Sequence, residues 1–152
     1  EVELFKDFHV SKHLLSTLKT TSCLINITAS IFAQENDYEN CLLINDEKNV
    51  IEAINGNIFV VKDNVISTQP IADGCKNGII RKKLIEIINK TDNLTFEERS
   101  ISPFELQKAD EIFITNIAVG IQSVTQYRKK MFANTIANSL LMKLNAQIKF
   151  NS

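Results

Sequence analysis

The chain has 152 residues, 44% of them hydrophobic and 23% charged, with a mean hydropathy of -0.04. That balance suits one ordinary domain with a real core and excludes a disordered, collagen-like or membrane-spanning chain. Lys and Arg number 17 against 18 Asp and Glu, a formal charge of -1, so no global field draws the chain to nucleic acid or to an anionic membrane.

Val2, Leu4 and Phe5 predict a short opening strand, and Ser22 to Asn36, with Leu24, Ile27, Ile31 and Phe32 at helical spacings, predicts a helix over 22–36. Cys41-Leu42-Leu43-Ile44, the polar turn Asn45 to Asn49, and Val50-Ile51 read as a hairpin; Ile58 to Val61 and Val65 to Ser67, joined by Asp63-Asn64, read as another. Pro70, Gly74 and Gly78 break regular structure before a helix over 79–90 marked by Ile80, Leu84, Ile87 and Ile88. Leu94 to Ile101 alternates in part as a strand. Ser102-Pro103-Phe104-Glu105 combines an N-cap serine, a first-turn proline and a capping-box glutamate, which predicts a short helix. Asp110 to Thr115 and Ile121 to Tyr127 read as strands around a turn at Asn116 to Gly120. Phe132, Ile136, Leu140 and Leu144, every fourth residue, predict a last helix over 132–148 packed on the sheet. The fold class expected is a mixed α/β (α+β) domain, a curved mixed sheet packed with helices.

Three widely spaced cysteines, Cys23, Cys41 and Cys75, contain no CxxC pair and read as free thiols of a reducing compartment. No apolar run reaches the roughly 18 residues of a spanning helix, and no basic-then-apolar leader opens the chain, so the expectation is a cytoplasmic protein. His9 and His13 are four apart, as on one face of a metal-binding helix, but no HExxH pattern or third ligand accompanies them, and no metal site is expected. Arg128-Lys129-Lys130 reads as a solvated turn before the final helix. The segment Gly74 to Arg81 is a stronger candidate, since glycines leading into a helix expose backbone N–H groups and a favourable dipole to an anion. Lys19 and Glu52 matter as a pair. A lysine amine of lowered pKa can bond an aldehyde cofactor, and a carboxylate facing a pyridine nitrogen can keep that ring protonated.

Lys19 before a helix, Cys41 to Asn45, Ile51-Glu52-Ala53-Ile54-Asn55-Gly56-Asn57-Ile58-Phe59 and Thr68-Gln69-Pro70 follow one another in an order that resembles the C-terminal domain of class IV aminotransferases, the fold-type IV pyridoxal-phosphate enzymes. Gly78-Ile79-Ile80-Arg81 is similar to that family's GIT-R phosphate loop, and Ala109 to Asn116 to its ADE-aromatic strand, which ends at a second phosphate turn. The resemblance implies pyridoxal 5'-phosphate as cofactor, Lys19 as the catalytic residue bonded to it, Glu52 at its pyridine nitrogen, and its phosphate on Gly78, Ile79 and Ile80 and on the turn Asn116, Ile117 and Ala118. It also implies that residues 1–152 are one C-terminal domain, that a smaller N-terminal domain lies outside this sequence, which begins at Glu1 without methionine, and that the assembly is a homodimer.

The departures from the family pattern separate its members. Transaminases of this class place a tyrosine five positions after the lysine, a threonine where Ile80 stands and Gly-Thr where Asn116-Ile117 stands; this chain has Leu24 at the tyrosine position. The 4-amino-4-deoxychorismate lyases share these departures, so the resemblance implies elimination of pyruvate to leave 4-aminobenzoate. Branched-chain or D-amino acid transamination is the alternative, and a non-catalytic module that keeps the fold a second one.

Overall fold

Runs such as Cys41 to Ile44 and Ile58 to Val61 carry no polar alternation, and a strand of that kind must be covered on both faces. The structure, a computed structural model, describes residues 1–10 and 23–150 and shows how that cover is supplied. In chain order the elements are β1 (Val2–Val10), α1 (Cys23–Glu35), β2 (Asn40–Asn45), β3 (Val50–Ala53), β4 (Gly56–Lys62), β5 (Val65–Thr68), α2 (Ile79–Asn89), β6 (Thr95–Glu98), α3 (Pro103–Leu106), β7 (Glu111–Asn116), β8 (Gly120–Ser123), β9 (Gln126–Tyr127), β10 (Lys130–Met131) and α4 (Thr135–Phe150). Among the described residues all ten strands belong to one sheet of order β10-β9-β1-β2-β3-β4-β5-β6, with β7 paired to β4 and β8 paired to β7. β1 runs parallel to β2 and β9, and β5 parallel to β6, while the other pairs are antiparallel. The mixed α/β class with a large mixed sheet is therefore the observed one.

Alternate residues of each strand enter different cores. Val2 and Leu4 of β1, Leu42 and Ile44 of β2, Ile58 and Val60 of β4, and Ile112 and Ile114 of β7 join Tyr127 and Val124 in one cluster. Strands far apart in the sheet order, β9 and β7, thus face the same interior, which requires the sheet to curl around it. On the outer face, Phe5, Cys41, Leu43 and Ile51 pack against Ala29 and Ala33 of α1. Phe59, Val61, Phe113 and Ile121 pack against α2 and α4, with the Phe59 and Phe113 rings stacked 5.2 Å apart.

The hairpin at Asp63-Asn64 has both residues at positive φ, 50° and 62°, a twist that matches its two strands. The capping box at Ser102 is complete, with Phe104 N–H donating to its side chain and Glu105 accepting from its backbone. Other expectations are corrected. The final helix begins at Thr135, and Phe132 packs into the interior cluster instead of the α4 stripe. The stretch Ile121 to Tyr127 divides into β8 and β9, and Arg128-Lys129-Lys130 turns a small β9–β10 hairpin, with Arg128 5.2 Å over the Tyr127 ring and 3.6 Å from Glu3. His9 lies exposed on a strand, not on a helix, and His13 lies outside the described residues. On α1, Leu24, Ile27 and Ile31 are exposed, and the small residues Ala29 and Ala33 face the sheet.

Leu84 is wholly buried between α2 and the sheet, whereas Met142 on α4 is 70% exposed. Leu84→Ala is expected to lower unfolding free energy by about 2–5 kcal/mol, and Met142→Ala to leave it within about 0.5 kcal/mol, as measured by urea unfolding.

Candidate functional site

Strand register builds the site. Glu52 of β3 lies opposite Leu43 of β2 on one side and Asn57 of β4 on the other, and Asn57 lies opposite Thr115 of β7. Glu52, Asn57 and Thr115 therefore form a cross-strand row on the outer face of the sheet. All three are buried, and they occupy the seam between the cluster under α1 and the cluster under α2 and α4. The segment leading into α2 folds over this seam. Asn57 Nδ2 donates to the Lys76 carbonyl at 2.7 Å, and Lys76 N–H donates to Glu52 Oε2 at 3.0 Å.

Two glycines make that approach possible for different reasons. Gly74 sits at φ 109°, in the left-handed region. Gly78 has an ordinary φ of -70°, but a Cβ there would stand 2.5 Å from Asn57 Oδ1. Gly56, the first residue of β4, is held to glycine by the backbone carbonyl of Thr115.

These elements enclose a cleft of about 490 Å³ whose lining includes Glu52, Asn57, Lys76, Gly78, Thr115 and Asn116, with Ile79, Ile80 and Ile117 beside them. Glu52 is 1% exposed, and its Oε1 has no hydrogen-bond partner among the described residues; Lys76 Nζ stands 3.7 Å away, an ion-pair contact beyond hydrogen-bonding distance. Burial pushes the Glu52 carboxyl above its ordinary range, and Lys76 partly offsets this through its charge and its backbone N–H. Thr115 Oγ1 is likewise buried without a hydrogen-bond partner among the described residues. At the other side of the cleft α2 begins. Gly78, its N-cap, has no side chain with which to cap, and the first N–H groups of a helix have no intrahelical acceptor. An acceptor at one end and anion-seeking amides at the other suit an elongated ligand with a donor and an anionic group.

Of the residues singled out in the sequence, Glu52, Gly78, Ile79, Ile80, Asn116 and Ile117 come together on this cleft. Ala118 does not line it, and its N–H is engaged by Asn116 Oδ1 at 3.0 Å, as is that of Val119. Lys19 lies outside the described residues. Arg81 is buried, with Nη2 donating to the Gln69 carbonyl at 2.9 Å and pairing with Glu98 at 3.2 Å, so its guanidinium ties α2 to β6 and the segment after β5. Sequence reasoning missed Asn57 and Lys76 as site residues. Their only signal was position, one beside the β3–β4 turn and the other two residues before Gly78.

The amino-transferase class IV family model matches residues 4–127, and the chain belongs to that family. Class IV aminotransferases are pyridoxal-phosphate enzymes. The chain is 34% identical over 108 residues to a D-alanine aminotransferase of Bacillus licheniformis, covering 71% of this chain and 38% of that one. It matches the structure of a provisionally named 4-amino-4-deoxychorismate lyase from Legionella pneumophila with a TM-score of 0.88 at 26% identity, over 96% of this chain and 55% of that one. A branched-chain amino acid aminotransferase of Thermobaculum terrenum, in its PLP form, shares the fold with a TM-score of 0.92 at 22% identity, over 100% of this chain and 52% of that one. The chain thus spans less than half the length of curated relatives such as the D-alanine aminotransferase and about half that of the solved structures.

Glu52→Gln mimics the protonated carboxyl. Because burial raises the folded pKa above the ordinary 4.5, the charged form costs stability as pH rises through that folded pKa, and nothing is lost below 4.5. Thermal melts of the cofactor-free protein are expected to show Glu52→Gln gaining stability at neutral pH, with the gain fading as pH falls toward 4.5.

Proposed function

We propose that residues 1–152 form the C-terminal, cofactor-binding domain of a pyridoxal-phosphate enzyme, and that the whole protein is a 4-amino-4-deoxychorismate lyase. The observation that carries the cofactor reading is Glu52, a buried carboxylate with one oxygen that has no hydrogen-bond partner among the described residues, on the wall of a cleft that begins at a helix N-terminus. A protonated pyridine nitrogen is the donor that Oε1 lacks. The amides of Ile79 and Ile80, with Gly78 allowing close approach, would take the phosphate together with the Ile117 amide, and Asn116 would hold its turn in shape. Ala118 contributes through that turn, its amide being engaged by Asn116.

When bound, the cofactor supplies an electron sink for bond breaking at the amine-bearing carbon. Glu52 would hold the ring nitrogen's proton, and Lys19, by the family resemblance, would bond the cofactor and remove the proton from that carbon. Elimination then leaves an aromatic ring, so no second substrate is required.

The lyase reading is favoured over transamination by side chains that carry no hydroxyl. Ile80 turns into the α2 core rather than toward a ligand, Ile117 is exposed, and Leu24 on α1 is 78% exposed. Likeness to the D-alanine aminotransferase supports the alternative, transfer of an amino group to a keto acid. A homodimer in the cytoplasm completes the proposal, acting on a small molecule. No described helix is long and apolar enough to cross a membrane.

The deciding assay uses the full-length protein with pyridoxal phosphate and aminodeoxychorismate, following pyruvate and 4-aminobenzoate. Both products are expected, lost with Lys19→Ala and reduced by about 10²-fold or more with Glu52→Ala. Transfer to a keto acid without those products would establish the transaminase. Failure to take up cofactor would leave a non-catalytic module.

A further inference from the structure

One charged group in the cleft has no part in that reading. Lys76 addresses both oxygens of Glu52, its backbone N–H donating to Oε2 at 3.0 Å and its Nζ standing 3.7 Å from Oε1, the oxygen without a hydrogen-bond partner among the described residues. The lysine's carbonyl is pinned by Asn57 Nδ2, so its backbone is held in place. Its side chain is 27% exposed against 1% for Glu52, so the ammonium keeps contact with water while the carboxylate does not.

The other groups around Glu52 leave this role to Lys76. Asn57 and Thr115 are neutral. The Cys75 thiol is pushed up to about 12 by burial and stays protonated. Arg81 turns its Nη2 to the Gln69 carbonyl and Glu98. Among the described residues, Lys76 is the cation that faces this carboxylate.

We infer that Lys76 is a positioning residue that favours the ionised form of Glu52 in the cofactor-free protein and then shares the carboxylate with the ring nitrogen, so that Glu52 holds the ring proton less tightly than an unpaired carboxylate would. The second half rests on the cofactor reading above; the first does not. Burial works against the Glu52 charge, and the nearby ammonium works for it. A second cation at Oε1 would then sit beside the first, and two cations on one carboxylate lower each other's pKa. The electron sink is thereby weakened, which an elimination driven by aromatisation tolerates.

Thermal unfolding of the full-length, cofactor-free protein between about pH 4 and pH 9 tests the first half, comparing the unaltered protein with Lys76→Met, Lys76→Arg, Glu52→Gln and the Lys76→Met/Glu52→Gln double variant. Without the ammonium the folded pKa of Glu52 climbs further, so Lys76→Met is expected to fall behind the unaltered protein increasingly as pH rises above 4.5. That pH-dependent deficit should vanish in the Glu52→Gln background and be largely restored by Lys76→Arg. A deficit flat with pH, or equal in both backgrounds, overturns the inference and leaves Lys76 a merely structural residue. With pyridoxal phosphate labelled with 15N at the ring nitrogen bound, Lys76→Met should move the pH midpoint of that nitrogen's NMR shift upward by about 1–3 units, and an unchanged midpoint overturns the shared-proton half. If no variant, including the unaltered protein, takes up cofactor, the cofactor reading and the shared-proton half fall together, while the melts still decide the first half.

Discussion

A carboxylate removed from water has to be answered by the protein around it, and the answer to Glu52 organises this domain. Its place on the outer sheet face is set by antiparallel pairing, which aligns it with Asn57 and Thr115. The response comes from a segment distant in sequence. The Lys76 amide reaches one oxygen, the Lys76 ammonium stands near the other, and Asn57 anchors the segment that carries them. Gly78 then lies so close to Asn57 that a Cβ there would stand 2.5 Å from its Oδ1 and push on the side chain that anchors Lys76. Strand register, loop path and helix start are thus linked through one buried charge.

The surrounding architecture keeps the seam open. α1 covers β1 to β3 through Ala29 and Ala33, while α2 and α4 cover β4, β7 and β8 through Ile80, Leu84, Leu140 and Leu144. Neither layer extends over the row between them, so a polar strip remains between two apolar clusters. At the start of α4, Glu111 supports the arrangement: its carboxylate accepts from the N–H groups of Ile136 and Ala137, fixing the first turn of α4 to β7. β7 is thereby braced at one end by α4 while its other end carries Thr115 and Asn116 to the cleft.

Much of this was legible in the residues. The α2 stripe Ile80, Leu84, Ile87 and Ile88 is buried as its spacing predicts, because the helix has one sheet to face and polar residues on its other side. The hairpins were marked by turn chemistry, and Ser102 by its capping box. α1 misleads in part, because Leu24, Ile27 and Ile31 lie outward, while Phe32 packs beside Phe5 and the alanines allow the close approach to the sheet. The two-residue strands β9 and β10 are too short to show a period, and Phe132 joins a core that its spacing from Ile136 does not reveal. At the site, Glu52 and the Gly78-Ile79-Ile80 segment were recognised through a family pattern. Asn57 and Lys76 were not, since side-chain contacts across 19 and 24 residues leave no local periodicity.

Cys75 gives the same segment an internal reporter. Its thiol is buried in the cluster under α1, donating to the Gln69 and Pro70 carbonyls at 3.7 and 3.6 Å, and burial holds it protonated, so it is chemically silent while the segment stays packed. Lifting the 74–78 segment off Glu52 would at once hydrate this thiol and let it ionise. Its rate of alkylation is thus a clock for the opening of the cleft wall, built into the protein without any added label.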